Sequence, residues 1–341
     1  MDALRPWGSL DWVLSHIDVS DWAVLGTVSV EDRSIATVSA MGAALTSARL
    51  FAIHDPDPLD PQEVLKKLTE RKREFAQLGI KDDNSYVDTA LMATLDDINT
   101  EVDALLKTGA ANIVLDISAM PKRWFFAILK ILSGDDRVKN LLVTYASPQS
   151  YGTVLAENPG PMVMLPGFAG DGAQDYHSII IGIGFEPLGI ANLLKELRLK
   201  RIRLLFPFPP GPPGYNRNWM FVKSIEDMTR TQSIEPPDRQ SIHMFDCPHI
   251  FDALCEMTNS GKLGSVLAPY GPKSMSLAMC LFSLAIAQAR RPLVPIYYSQ
   301  PTRYSIDYST GIRRDTAERP DIKAYIIKLF GNGLYQLPKS N

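Results

Sequence analysis

The chain has 341 residues, of which 45% are hydrophobic and 21% charged. That is ample apolar material for packed cores and more chain than one core usually organises, so two domains of ordinary size are expected. A formal net charge of -3 excludes a whole-molecule basic field for non-specific nucleic-acid binding and leaves room only for a local basic pocket.

The opening MDALRPWGSLDWVL lacks the layout of a secretion signal. The longest apolar run, SLAMCLFSLAIAQA, is shorter than the roughly 20 residues a bilayer crossing needs, so no membrane partner and a soluble, cytoplasmic protein are expected. In chain order, AVLGTV is a β-branched strand that breaks at Gly26 into a helical pattern, and ARLFAIHD is a second strand ending in the acidic, proline-containing HDPDPLDP. The segments EVLKKLTERKREFAQ and DINTEVDALLKT have helical periodicity. ANIVLDI is a strand running into the polar turn SAMPK, RWFFAILKILS is the helix after it, and NLLVTY is a last strand.

The same succession returns about 150 residues later. SIIIGIG breaks at Gly182 into a helical pattern, and IRLLFPFP leads into the long, stiff loop FPFPPGPPGYNRNW. NWMFVKSIEDMTR and PHIFDALCEMTN are helical, GSVLAP is a strand followed by the turn PYGPK, SMSLAMCLFSLAIAQA is a helix, and PLVPIYY closes the set. Tyr145, Pro148 and Tyr151 recur with the same spacing as Tyr298, Pro301 and Tyr304, and Lys122 matches Lys273.

This pattern predicts an α/β protein of two tandem Rossmann-like domains, parallel sheets flanked by helices, related by internal duplication. The first copy spans 1–150 and the second 176–341. Residues 151–175 form a Pro/Gly-rich linker whose Met162, Val163, Met164, Leu165 and Phe168 predict packing rather than a free tether.

In open parallel sheets ligands lie beyond the carboxyl ends of the strands. Ser118, Lys122 and Arg123 in the first polar turn, and Tyr270, Gly271, Lys273 and Ser274 in its echo, supply hydroxyls, cations and helix-start amides suited to an anion, phosphate above all. Thr27 and Ser29 after the first strand, and Gly184 and Glu186 in the repeat, fall at the same edge and suit a sugar or base. Tyr215 and Arg217 in the proline-rich loop, and Tyr298, suit base stacking. The competing expectation is structural: Pro121 and Pro272 start helices, and the serines and lysines solvate them.

The G-x-G-x-x-G spacing is absent, so no nicotinamide or flavin cofactor is expected. No G-x-S-x-G, Walker or H-E-x-x-H motif appears, and no catalytic residue is assigned. His243, Cys247, His249 and Cys255 lack paired ligand spacing, so no metal site is expected and Cys255 is read as core.

The two turns resemble those of CRISPR-associated Rossmann-fold (CARF) domains, sensors of cyclic oligonucleotides, in which a D-x-[ST]-x-G-x-K-like turn joins strand to helix. VLDISAMPKRWFF has the acid, hydroxyl and lysine without the glycines, and VLAPYGPKSMSLA has Gly271, Lys273 and Ser274 without the acid. Two such domains in one chain are similar to the SAVED sensors of bacterial antiviral defence. The resemblance implies an anionic nucleotide ligand and, with no further domain in view, a separate effector subunit or degradation of the signal. A homo-oligomer is compatible with it. An enzyme acting on a nucleotide or nucleotide sugar and a non-catalytic structural subunit are the two other readings.

Overall fold

The computed structural model describes residues 4–170, 175–210, 214–231 and 235–338. The chain forms β1 (Trp7–Ser9), α1 (Leu10–His16), β2 (Trp22–Val28), α2 (Ala36–Met41), β3 (Leu45–His54), α3 (Pro61–Gln77), β4 (Tyr86–Ala90), α4 (Leu95–Leu106), β5 (Asn112–Asp116), α5 (Lys122–Gly134), β6 (Asn140–Ala146), β7 (Pro148–Tyr151) and β8 (Ala156–Met164). There follow β9 (Asp175–Gly182), α6 (Ile190–Glu196), β10 (Arg198–Phe208), α7 (Gly214–Thr231), β11 (Asp238–His243), α8 (Cys247–Met257), β12 (Ser265–Pro269), α9 (Lys273–Gln288), β13 (Tyr297–Tyr304), β14 (Ser309–Ile312), β15 (Ile322–Leu329) and β16 (Asn332–Gly333).

Two compact units result. The amino unit is Leu4–Asn158 with Pro301–Leu334, and the carboxyl unit is Pro159–Gln300 with the residues from Tyr335 onward. The amino unit's sheet has the order β1-β15-β6-β5-β2-β3-β4, parallel from β6 through β4 and antiparallel where β15 joins β6 and β1 joins β15. Every residue of β2 and of β6 is buried, as central strands covered on both faces require. Trp22, Val24 and Val28 pack with Leu50, Leu68 and Phe75 on one face. On the other, Phe51 meets Trp124 of α5 with ring centroids 5.2 Å apart.

The carboxyl unit's sheet is all parallel, in the order β11-β10-β9-β12. Ile179, Ile181 and Ile183 pack with Leu193, Leu204 and Phe221, and Phe251 of α8 meets Phe282 of α9. Counting from the first strand of each sheet, the parallel strands take the same places in both units. Many doubly wound sheets share that order, so it assigns no common origin.

Local chemistry explains the helix starts. Thr94 and Asp97 form a reciprocal capping box on α4, Asp60 caps α3 ahead of Pro61, and Asp246 accepts the His249 amide at α8. Cys247, Cys255 and Cys280 are all buried, and among the described residues no cluster of three His, Cys, Asp or Glu side chains is arranged to hold a metal ion. Among those residues no helix is long and apolar enough to cross a membrane.

Three expectations are corrected. The boundary at 150/176 does not hold at the C-terminus, because residues 301–334 return to the amino unit: β15, apolar and largely buried, covers the open side of β6, a strand edge that would otherwise stand unpaired. The closing strand PLVPIYY does not form as expected: only Ile296 bridges the parallel sheet, at Leu267, and Tyr297 and Tyr298 open β13, which pairs with β8 instead. The long loop 206–219 is mostly not a loop: β10 runs to Phe208 and α7 begins at Gly214, with 211–213 outside the described residues. Of the linker's apolar residues Leu165 and Phe168 are buried, Met162 is half-buried, and Val163 and Met164 are exposed; the linker contains β8, which pairs with β13, and its residues 171–174 lie outside the described residues.

Candidate functional site

In the amino unit β2 leads to β3 and β4 on one side, and β5 and β6 extend the sheet on the other. The strand order therefore reverses between β2 and β5, where an open sheet leaves a crevice at its carboxyl edge. In the carboxyl unit the same point lies between β9 and β12. The turns singled out in the sequence flank these two points: Thr27, Ser29, Ser118 and Lys122 in one unit, and Gly184, Glu186, Tyr270, Gly271, Lys273 and Ser274 in the other.

Within the amino unit the turn after β5 is fastened by its own polar groups. Asp116, 3% exposed, accepts the Ser118 amide at 2.9 Å and the Ser118 hydroxyl, whose oxygen in turn accepts the Ala146 amide at 2.8 Å. The hydroxyl proton is thus spent on Asp116. Ser118 clamps β5 to the end of β6 and is corrected from ligand donor to positioning residue. Thr27 sits within β2, short of the turn after it, and is buried. The Ser29 hydroxyl accepts the Glu31 amide at 3.2 Å. Arg123 reaches sideways to the Ala93 carbonyl at 3.2 Å, and beside it the Trp124 indole donates to Leu91. Lys122 stands half-buried at the first turn of α5, and desolvation pulls its amine down to about 7.

Sequence reasoning missed the strongest polar cluster of this edge. After β2 the chain turns through Glu31 and Arg33, both buried, and the Arg33 guanidinium donates twice to one Glu31 oxygen, at 2.7 and 3.0 Å. Ser309 also donates to that carboxylate. The guanidinium lies 5.7 Å from the Tyr145 ring centroid, and the Tyr145 and Tyr151 hydroxyls are 3.2 Å apart. Burial works against the Arg33 charge; Glu31, followed by Tyr145, Tyr151 and Tyr308, outweighs it and holds the guanidinium above the ordinary arginine value. Burial likewise pushes the Tyr151 phenol well up. The signal was present in the E-D-R that follows the apolar strand, inside the stretch expected to turn helical at Gly26, whereas β2 continues through Gly26 to Val28. The acidic loop after β3 has a partner within its unit, since Asp55 accepts the Tyr304 amide at 2.7 Å and Arg303 pairs with Asp57.

Glycines carry the carboxyl unit's edge, but for packing against protein. A Cβ on Gly184 would overlap the Tyr270 carbonyl, and one on Gly182 or Gly271 would stand 2.8 Å from the Met275 sulfur. Gly189 has φ 72° at the start of α6, a left-handed backbone that favours glycine. The expected close approach of a ligand to Gly184 and Gly271 is thus corrected to a close approach of two turns. Gly184→Ala is expected to lower stability by about 2 kcal/mol, because the Tyr270 backbone cannot retreat as a side chain could; a thermal melt coinciding with the wild type would refute this.

Ser274, fully buried, donates to the Met244 carbonyl, which removes it too as a ligand donor. The Tyr270 hydroxyl donates to Leu188, and burial holds that phenol above its ordinary value. Tyr298 joins the site, its ring 5.5 Å from that of Tyr270. Asn218 donates to the Gly184 carbonyl at 2.8 Å while Arg217 lies over Phe185, 5.5 Å from its centroid. Tyr215 is not brought there: it stands 57% exposed on α7, edge-on to Phe206 and Trp219. Lys273 is half-buried at the first turn of α9, and Glu186 is half-buried in the turn after β9.

No family model matches the chain, and no curated protein matches it. Among solved structures, a functionally unknown protein from Pseudomonas aeruginosa PAO1 aligns at 8% identity over 82% of this chain and 92% of its own, with a TM-score of 0.23. Shikimate 5-dehydrogenase from Listeria monocytogenes, solved with shikimate and NAD, aligns at 11% identity over 81% and 94%, with a TM-score of 0.19. Scores this low carry no argument about function.

Proposed function

We propose that the protein is a sensor that binds an anionic, nucleotide-class ligand at its switch-point turns, with Lys122 and Lys273 as the cations. The observation that carries this reading is Lys122, an amine on the first turn of α5 at the carboxyl end of β5, whose charge is made costly by desolvation. An anion beside it would restore that charge, and helix-start amides add to the attraction. The equivalent placement of Lys273 at the first turn of α9 supports a second such site. The CARF and SAVED resemblance specifies the ligand as a cyclic oligonucleotide, the two units as products of duplication, and the output as a change of state read by a separate effector subunit in bacterial defence.

Mass spectrometry of small molecules released from freshly purified, denatured protein is expected to yield a phosphate-bearing nucleotide. With that compound, Lys273→Ala and Lys122→Ala are each expected to weaken calorimetric affinity about tenfold or more without loss of folding. Unchanged affinity in both variants would remove the lysines from the site.

The same Lys122 favours one alternative, an enzyme acting on a nucleotide, because an amine at about 7 is available as a base or nucleophile. Turnover of the retained compound, abolished by Lys122→Met, would decide for it.

A further inference from the structure

The chain as a whole is weakly acidic, yet the amino-terminal half of β10 is densely cationic. Arg198, Lys200, Arg201 and Arg203 follow one another along the strand, the first three of them exposed and Arg203 half-buried. Successive side chains of a strand point to opposite faces and rise about 3.3 Å per residue, so Arg201 and Arg203 project together about 6.6 Å apart on one face and Arg198 and Lys200 on the other, along a stretch that β11 pairs with only from Arg203 onward and that therefore presents both faces at a sheet edge. The β9 and β10 register pairs Ser178 with Arg201, which sets His177 beside Lys200.

Countercharge is sparse: Asp175 is the register partner of Arg198 on β9 and Asp238 that of Arg203 on β11. Arg198 has an exposed partner in Asp175 at 3.9 Å, but among the described residues no carboxylate lies within ion-pair distance of Lys200, Arg201 or Arg203. The buried Arg203 Nε has no hydrogen-bond partner there either. Burial, then Arg201, Arg203 and Lys200, pull His177 below the ordinary histidine value, as cations gathered about one imidazole must.

The surroundings select the partner. A protein interface has an apolar core with aromatic anchors inside a polar rim. Here the exposed aromatic side chains Phe208, Tyr215 and Trp219 sit at the other end of β10 or on the helix that follows, leaving the cationic half without such a core. A phosphodiester backbone asks for the opposite composition, arginine and lysine in a row and no apolar anchor.

We propose that the amino-terminal half of β10, through Lys200, Arg201 and Arg203 with Arg198 beside them, binds the phosphate backbone of a nucleic acid without regard to sequence. This surface is separate from the switch-point turns and does not depend on what they bind.

The test is fluorescence anisotropy with a labelled 20-base-pair duplex, and with one of its strands, over a range of salt concentrations. The full-length protein is expected to bind with a log affinity against log salt slope of about -3, as three to four phosphate contacts require. The triple variant Lys200→Ala, Arg201→Ala, Arg203→Ala is expected to lose at least 30-fold in affinity at low salt and most of that slope. Lys262→Ala with Arg290→Ala, two exposed cations of the same unit, is expected to change neither. Relief of like-charge crowding predicts a melting temperature for the triple variant no lower than the wild type's. Should it fail to fold, Lys200→Ala with Arg201→Ala, both exposed, serves instead, with a loss of about two thirds of the slope. No binding to either oligonucleotide at 50 mM salt would overturn the proposal, as would binding indifferent to the variants. A variant-sensitive response to phosphatidylserine vesicles or polyglutamate, with none to the oligonucleotides, would overturn it in favour of a lipid or an acidic protein.

Discussion

Lys122→Met is expected to stabilise the ligand-free protein at pH 6 by on the order of 2 kcal/mol, discounted for the partial exposure of the site. The sign follows from the lysine's two states. Its amine titrates at the ordinary value of 10.5 in the unfolded chain and at about 7 in the folded one. Between those values the unfolded chain binds a proton the folded protein does not, so wild-type stability rises with pH across that window and is least below it. Methionine is of similar length and carries no charge, so the variant's curve should lack the rise that Lys122 contributes across the same range. Urea unfolding of both proteins at pH 6 and pH 9 measures this directly, and curves that remain parallel would show that Lys122 is well solvated. The variant should also lose the ligand, since the anion's gain lies in restoring the charge that methionine lacks. A substitution that strengthens the fold while abolishing binding would mark a residue kept at a cost to stability.

Arg33→Met should have the opposite effect and a larger one. Arg33 is 1% exposed and Glu31 7%, and the guanidinium supplies two of the hydrogen bonds that the Glu31 carboxylate accepts. Its removal leaves a buried carboxylate held by Ser309 without a countercharge, which is expected to cost about 3 to 5 kcal/mol. Replacing both, with Glu31→Gln and Arg33→Met, removes the stranded charge and should cost much less. Chemical denaturation of the two single variants and the double variant separates these outcomes, and an Arg33→Met protein within about 1 kcal/mol of the wild type would show that the pair is dispensable. Because the pair anchors the turn after β2 near Tyr145 at the end of β6, its loss should also change the environment of Tyr145 and Tyr151, which tyrosine fluorescence can follow.

The strands that proved easiest to anticipate were those buried on both faces. AVLGTV, ANIVLDI, NLLVTY, SIIIGIG and GSVLAP are nearly unbroken apolar runs bounded by turn residues; the first four are interior strands of their sheets, and GSVLAP, last in its sheet, is buried from Ser265 to Pro269. The edge strands β4 and β11 escaped notice because YVDTA and DRQSIH keep most of their side chains outside the core and carry no continuous apolar signal. β15 has the composition of a strand, but nothing local says that it pairs with β6, which lies far behind it in the chain.

The candidate site divides in the same way. That Lys122 and Lys273 would open helices at the carboxyl ends of β5 and β12 was legible from Pro-Lys after an apolar strand. How the serines are tied into the fold was not, because key partners are distant in sequence: the Ser118 hydroxyl, which donates to nearby Asp116, accepts the Ala146 amide, and Ser274 donates to the Met244 carbonyl.

By itself the sequence determined the alternation of strand and helix, the parallel run of strands in each sheet and the edge on which the polar turns lie, since these follow from side-chain periodicity over a few residues. Only the tertiary structure decided that 301–334 completes the amino unit, that Arg33 and Glu31 are buried together, and that Gly184 makes room for Tyr270 instead of a ligand. Each of these depends on which distant groups meet once the chain has closed, and no local pattern encodes that meeting.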